Sequence, residues 1–177
     1  MKKIVDLAHD FLSEVLSEAD TAIDFTCGQG FDTCFLAAHC QHVFGFDIQM
    51  EAIKLTKQAL AERKLSAELI LASHAEAADT VDQFKAGIFN LGYLPHGDKT
   101  ITTQPLEVIS ALDQMLPKLL AGGRIVLVLY PGFAQGLAES VEIETYCEKL
   151  PAKIYDVTRI QLTNRYKAPY LLLIDKH

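Results

Sequence analysis

Two glycines one residue apart, Gly28 and Gly30, follow a short apolar run that ends on the carboxylate Asp24. Glycines at that spacing let a backbone approach a ligand closely, and a helix starting just after them offers unpaired N–H groups. Such a loop suits an adenine-containing cofactor. Asp24 narrows the choice, because a carboxylate beside the glycines would repel a pyrophosphate and pair well with an ammonium group. S-adenosylmethionine carries that ammonium. The dinucleotide fingerprint also needs a glycine three residues after its second one, and Thr33 stands there, which argues against a nicotinamide cofactor. Thr26 and Asp32, on either side of the glycines, belong to the same expected cofactor set.

In an open α/β sheet the ligand lies at the carboxyl ends of the strands, so further candidates are sought where apolar runs stop. Asp47 closes the second run, nineteen positions after Gly28, where a carboxylate can accept both ribose hydroxyls, with Gln49 beside it. The competing duty for Asp47 is to cap the helix that starts near Gln49. Ser73 and His74 end the third run and could border an adenine, although a serine before a short helix also serves as a cap. The fourth run ends in Asn90-Leu91-Gly92-Tyr93-Leu94-Pro95 beside the first, where a transferred group would sit. The fifth ends in Tyr130-Pro131-Gly132-Phe133, and Asn164-Arg165-Tyr166-Lys167 lies in a late loop. Both could contact an RNA loop through stacking and phosphate pairing, or be ordinary turn and solvated loop. No metal is expected. His39-Cys40-Gln41-His42 spans a helix end and a strand start, which aims its side chains apart.

The elements that must hold these residues alternate. Apolar residues at Val5, Ala8, Leu12, Val15 and Leu16 predict an amphipathic helix over residues 4–16. Strands are expected at 21–26, 42–47, 67–71, 87–90 and 124–130, with helices at 32–40, 49–64, 75–84, 104–119 and 135–150. That alternation predicts a mostly parallel sheet with helices on both faces, formed by one domain over residues 1–177. The last two strand-like runs, 153–161 and 170–175, are joined by a loop too short for a crossover helix. They are expected as an antiparallel hairpin completing a seven-stranded sheet.

The bulk properties exclude several classes. No apolar run approaches the ~20 residues of a membrane-spanning helix, so no membrane partner is expected. The four cysteines, Cys27, Cys34, Cys40 and Cys147, form no CxxC pair and no disulfide pattern, which fits a reducing cytoplasm. A net charge of −7 argues against nonspecific nucleic-acid binding. The chain from Cys147 onward nevertheless carries six Lys or Arg against three acids, a basic surface that could hold a small structured RNA. The acidic remainder is compatible with a homodimer that pools two hairpin loops.

Four segments together, Asp24-x-Thr-Cys-Gly-x-Gly-x-Asp32, Asn90-Leu-Gly-Tyr-Leu-Pro95, Gly97-Asp98-Lys99 and Tyr130-Pro-Gly132, resemble the small bacterial proteins labelled rRNA methylases. These are class I methyltransferases with a Rossmann-like fold, and the resemblance covers nearly the whole chain. It implies S-adenosylmethionine as cofactor. It further implies transfer of a methyl group to the amine of 5-aminomethyl-2-thiouridine at the wobble position, in the anticodon loop of a tRNA. The Asn90 segment also resembles the Asn-Pro-Pro-Tyr loop of amino-methylating nucleic-acid enzymes. There the asparagine oxygen and the next carbonyl accept the amine N–H groups and aim its lone pair, while Tyr93 stacks on the base. Pro95 and His96 belong with Tyr93 to the expected substrate-binding set. A protonated amine must first lose a proton, and Asp98 and His96 are the nearest acceptors, with Tyr93 or water as alternatives. The chain departs from the family at Phe133, where a histidine is expected after Tyr-Pro-Gly. Methylation of rRNA or a small molecule, and noncatalytic RNA binding by a retained pocket, are the competing readings.

Overall fold

The computed structural model describes residues 3–92 and 104–177. Helix α1 (Ile4–Ser13) precedes strand β1 (Thr21–Asp24), and α2 (Phe31–His39), β2 (His42–Asp47), α3 (Met50–Arg63) and β3 (Glu68–Leu71) follow. After a 3-10 turn at His74–Glu76 come α4 (Ala77–Thr80), β4 (Phe84–Asn90), α5 (Pro105–Met115), a second 3-10 turn and β5 (Leu119–Leu129). Helix α6 (Ala134–Cys147) leads to β6 (Tyr155–Ile160) and β7 (Tyr170–Lys176).

One seven-stranded sheet results, in the order β3-β2-β1-β4-β5-β7-β6. The first five strands run parallel, whereas β7 pairs antiparallel with both β5 and β6. Strand order reverses direction at β1, between β2 and β4. The carboxyl ends of β1 and β4 therefore flank a crevice.

The sequence dictates this sheet through its period-two alternation. Along β5, Ile125, Leu127 and Leu129 enter one core while Val126 and Val128 enter the other. Strand β7 repeats the pattern with Tyr170, Leu172 and Ile174 against Leu171 and Leu173. Both faces must then be covered. Helices α5 and α6 supply Val108, Ala111, Leu112, Met115 and Ile143 to the first core. On the opposite face, α1 and α2 supply Ala8, Leu12 and Leu36 to the second.

The expected order of elements is present, with boundaries moved. Residues 75–84 were expected as one helix, but α4 stops at Thr80 and Phe84 already opens β4. Phe84 is fully buried against Phe25, so tertiary packing claims it for the sheet. Helix α5 ends at Met115 because Pro117 sits in the following 3-10 turn, and β5 starts at Leu119. A register shift opposite Phe84 and Ala86, with Gly122 at φ 66°, carries β5 through Gly122-Gly123. Among the described residues no helix is long and apolar enough to cross a membrane, and no group of three or more His, Cys, Asp or Glu could hold a metal ion.

Candidate active site

The chain leaves β1 bound to both neighbours. Phe25 N–H donates to the Ile88 carbonyl of β4 at 2.9 Å, and Cys27 N–H to the Phe46 carbonyl of β2 at 3.0 Å. The loop then turns through Gly28 (φ 54°) and Gly30 (φ 82°), both left-handed. A Cβ at Gly30 would lie 2.8 Å from Thr56 Cα, so glycine there also lets α3 pack against the loop. Two contacts lock the loop. Gly28 N–H donates to Asp47 Oδ2 at 3.0 Å, while Asp47 Oδ1 accepts from Gln49 N–H at 2.9 Å. Asn90 N–H donates to Thr26 Oγ1 at 2.8 Å, which ties the end of β4 to the same loop.

Asp24 lies beneath this loop and is fully buried. It accepts from Thr26 N–H at 3.0 Å and from the Thr33 hydroxyl at 2.6 Å. Burial, assisted by the charge of Asp32, pushes its carboxyl up to about 8. The expectation from sequence set Asp24 against a ligand ammonium, yet it does not line the cavity above the loop. Asp32, on the first turn of α2, does line it.

That cavity has a volume of about 1010 Å³ and opens at the carboxyl ends of β1, β2 and β4. Thr26, Gly28, Asp32, Asp47 and Gln49 form its loop side. His74, Asn90, Tyr130 and Phe133 face it from the strand ends beyond. Gly30 lies behind the wall. Ser73 lies outside the lining, caps the 3-10 turn by accepting from Ala75 N–H at 3.3 Å, and so performs the capping duty. Tyr93, Pro95, His96 and Asp98 lie outside the described residues.

Asn90 is held at both ends of its amide. Nδ2 donates to Asp32 Oδ2 at 3.0 Å, and Oδ1 accepts from the Tyr130 hydroxyl at 2.9 Å. Burial, with the charge of Asp32, pushes the Tyr130 hydroxyl up to about 12, so it stays protonated and donates. Asp32 Oδ1 in turn meets His9 Nε2 at 2.6 Å. His9 was not expected here. It comes from α1, 23 positions from Asp32, and no local motif links them. The available signal is its place beside the buried Ala8 and one turn before Leu12 on the amphipathic helix.

His74 is 7% exposed and packs edge-on against Phe89 at 5.4 Å between centroids. Burial lowers it to about 4, opposed by a hydrogen bond to the Phe25 backbone. Its ring is therefore neutral near pH 7. Among the described residues its buried Nε2 has no hydrogen-bond partner.

A second cavity, of about 360 Å³, lies between α6 and the β6–β7 loop. Leu137, Val141, Arg159 and Arg165 line it, and Lys167 lines both cavities. Asn164 lines neither. Tyr166 stands 92% exposed, with the Lys167 ammonium 5.3 Å from its ring centroid.

The family model described as "Putative rRNA methylase" matches residues 43–176. The chain belongs to this family. It is 32% identical to the chloroplastic tRNA (mnm(5)s(2)U34)-methyltransferase of Arabidopsis thaliana over 191 residues, covering 99% of this chain and 70% of that protein. A crystal structure of an rRNA methylase of the same description from Clostridium thermocellum superposes with a TM-score of 0.96 at 36% identity, over 100% of this chain and 99% of the other. A methyltransferase from Streptococcus mutans, crystallised with S-adenosylhomocysteine, gives 0.92 at 33% identity over the same shares. The chain is thus an S-adenosylmethionine-dependent methyltransferase with a Rossmann-like fold.

Proposed function

We propose that this chain methylates the aminomethyl group of 5-aminomethyl-2-thiouridine at the tRNA wobble position, using residues 1–177 as one catalytic domain. The observation that carries the reading is Asn90, whose amide is fixed between Asp32 and Tyr130 on the wall of the large cavity. The name of the Arabidopsis relative supplies the nucleoside.

The donor set of the cavity suits the cofactor. Asp32 and Asp47, two of its wall carboxylates, match an ammonium and a ribose diol, and His74 on the same wall would border an adenine. Asp24 supports the loop from below. When bound, S-adenosylmethionine supplies an electrophilic methyl group on a sulfonium.

The chain's own residues then have to orient an amine and exclude water. Asn90 Oδ1 has one lone pair beyond that used by Tyr130, and with the Leu91 carbonyl it accepts the amine N–H groups, leaving the nitrogen lone pair aimed inward. Tyr93 stacks on the base, Pro95 and His96 contact the substrate, and Asp98 or His96 takes the ammonium proton. Tyr130 and Phe133 border the nucleoside. Arg165 and Lys167 meet phosphates of the anticodon loop, with Asn164 beside them, and a dimer pooling two β6–β7 loops would enlarge that basic surface.

The test is incubation with methyl-labelled cofactor and either tRNA or rRNA from a strain lacking the gene, followed by nucleoside mass spectrometry. Label on the wobble uridine of tRNA is expected. In Asn90→Ala, cofactor binding should persist while turnover falls by roughly two orders of magnitude. Label confined to rRNA, or none on tRNA, would overturn the assignment.

A further inference from the structure

Four side chains from four separate parts of the chain form one hydrogen-bonded row along the large cavity. His9 of α1, Asp32 of α2, Asn90 of β4 and Tyr130 next to β5 are joined at 2.6, 3.0 and 2.9 Å. A carboxylate can only accept, so Asp32 fixes two directions at once. Asn90 must present Nδ2 to it, and His9 must present Nε2–H. From the far end, the protonated Tyr130 hydroxyl donates to Asn90 Oδ1. The amide is therefore told twice which way to lie.

We propose that His9 is a positioning residue for the methyl transfer, acting through Asp32 to hold the Asn90 amide with its oxygen toward the acceptor amine. This rests on the reading of Asn90 as the group that receives that amine. The ring is well placed for the duty. His9 stacks on Phe35 at 4.0 Å between centroids and 5° between planes, which fixes the imidazole plane, and its side chain is 18% exposed on the cavity wall. Asp32 is 4% exposed. Were the His9 donor removed, Asp32 Oδ1 would lose its partner, and a turn of the carboxylate toward another donor would release Asn90 Nδ2. A flipped amide offers N–H groups to an amine that is itself a donor. The expected fault lies in orientation, not in holding the cofactor, because Asp32 and Asp47 remain.

Two substitutions separate donor from ring. His9→Gln keeps an N–H at similar reach, and His9→Phe keeps the stack on Phe35 without the donor. NMR of the cofactor-free protein reads the row directly. The wild type should show a downfield imidazole proton from His9 Nε2–H and a distinct Asn90 side-chain amide, assigned by its loss in Asn90→Ala. In His9→Phe the imidazole signal vanishes and the Asn90 amide shifts, whereas His9→Gln leaves that amide near its native position. With cofactor and tRNA, His9→Phe should lower kcat by about tenfold or more with cofactor Kd within about threefold, and His9→Gln should restore most of it. An unmoved Asn90 amide with native kcat in His9→Phe overturns the inference, as does a Gln variant as impaired as the Phe one. If the wild type methylates no RNA amine, the proposed function falls, and the NMR result alone decides whether His9 positions Asn90.

Discussion

Asp24 and Asp32 are eight positions apart, and burial gives them different duties. Asp24 is sealed beneath the glycine loop, so folding raises its carboxyl from 3.8 to about 8. A carboxyl raised by folding holds its proton more tightly in the native state. Its contribution to stability is full below the unfolded value and is lost as pH rises through the folded one. Stability is therefore expected to fall as pH rises between about 4 and 8. Glu139, raised to about 7 mainly by burial, adds to the same slope. In Asp24→Asn the amide can still accept from Thr26 N–H and donate to the Thr33 hydroxyl oxygen. Denaturant melts across this range should show a flatter decline for the variant, and an unchanged slope would refute the burial argument. Residue types and spacing exposed the loop, the Asp47 position and Asn90, because those signals are local. They put Asp24 and Asp32 in one cofactor set and did not reveal that Asp24 lies off the cavity, since which side of a turn points inward depends on the helix that packs on it.

The glycine loop works as an element only because α3 presses on it. Gly30→Ala must place a methyl 2.8 Å from Thr56 Cα while keeping a φ of 82°, so both packing and backbone oppose the change. The variant is expected to lose about 1–3 kcal/mol and to bind cofactor at least about tenfold more weakly, read by melting and by titration. Full stability with native affinity would contradict the packing described. Helix α1 shows what periodicity can and cannot reveal. Its spacing marked a cover for the sheet, and Ala8 and Leu12 are indeed fully buried. The same helix also delivers His9 to the site. Arg124 of β5 holds the far end, with Nη1 2.8 Å from both the Phe11 carbonyl and Glu14 and Nε 2.6 Å from Asp175 of β7. Contacts spanning more than a hundred positions have no signature in a local pattern, which is why α1 read as a cover alone.

For the molecule as a whole, the sheet order and the hairpin were legible because strand spacing leaves few alternatives. Parallel neighbours need a crossover, and the last two strands had no room for one. The basic excess after Cys147 was also legible, because it lies in one stretch of chain. Arg165 at the smaller cavity and Lys167 at both lie in the β6–β7 loop, on a chain whose net charge is −7. If they meet phosphates, replacing both by alanine should weaken tRNA binding and lower the salt dependence of log Kd by roughly one for each phosphate left unpaired. Filter-binding assays at several salt concentrations read both quantities. An unchanged slope would place the RNA elsewhere on the surface.

The cavity floor carries the account, and calorimetric titration with S-adenosylmethionine tests it most directly when wild type and Asp47→Ala are compared. Saturable binding at one site is expected for the wild type, and at least about tenfold weaker binding for the variant, which corresponds to about 1.4 kcal/mol for removing one charge-assisted hydrogen bond. No heat in the wild type, or equal affinity in the two proteins, would contradict it.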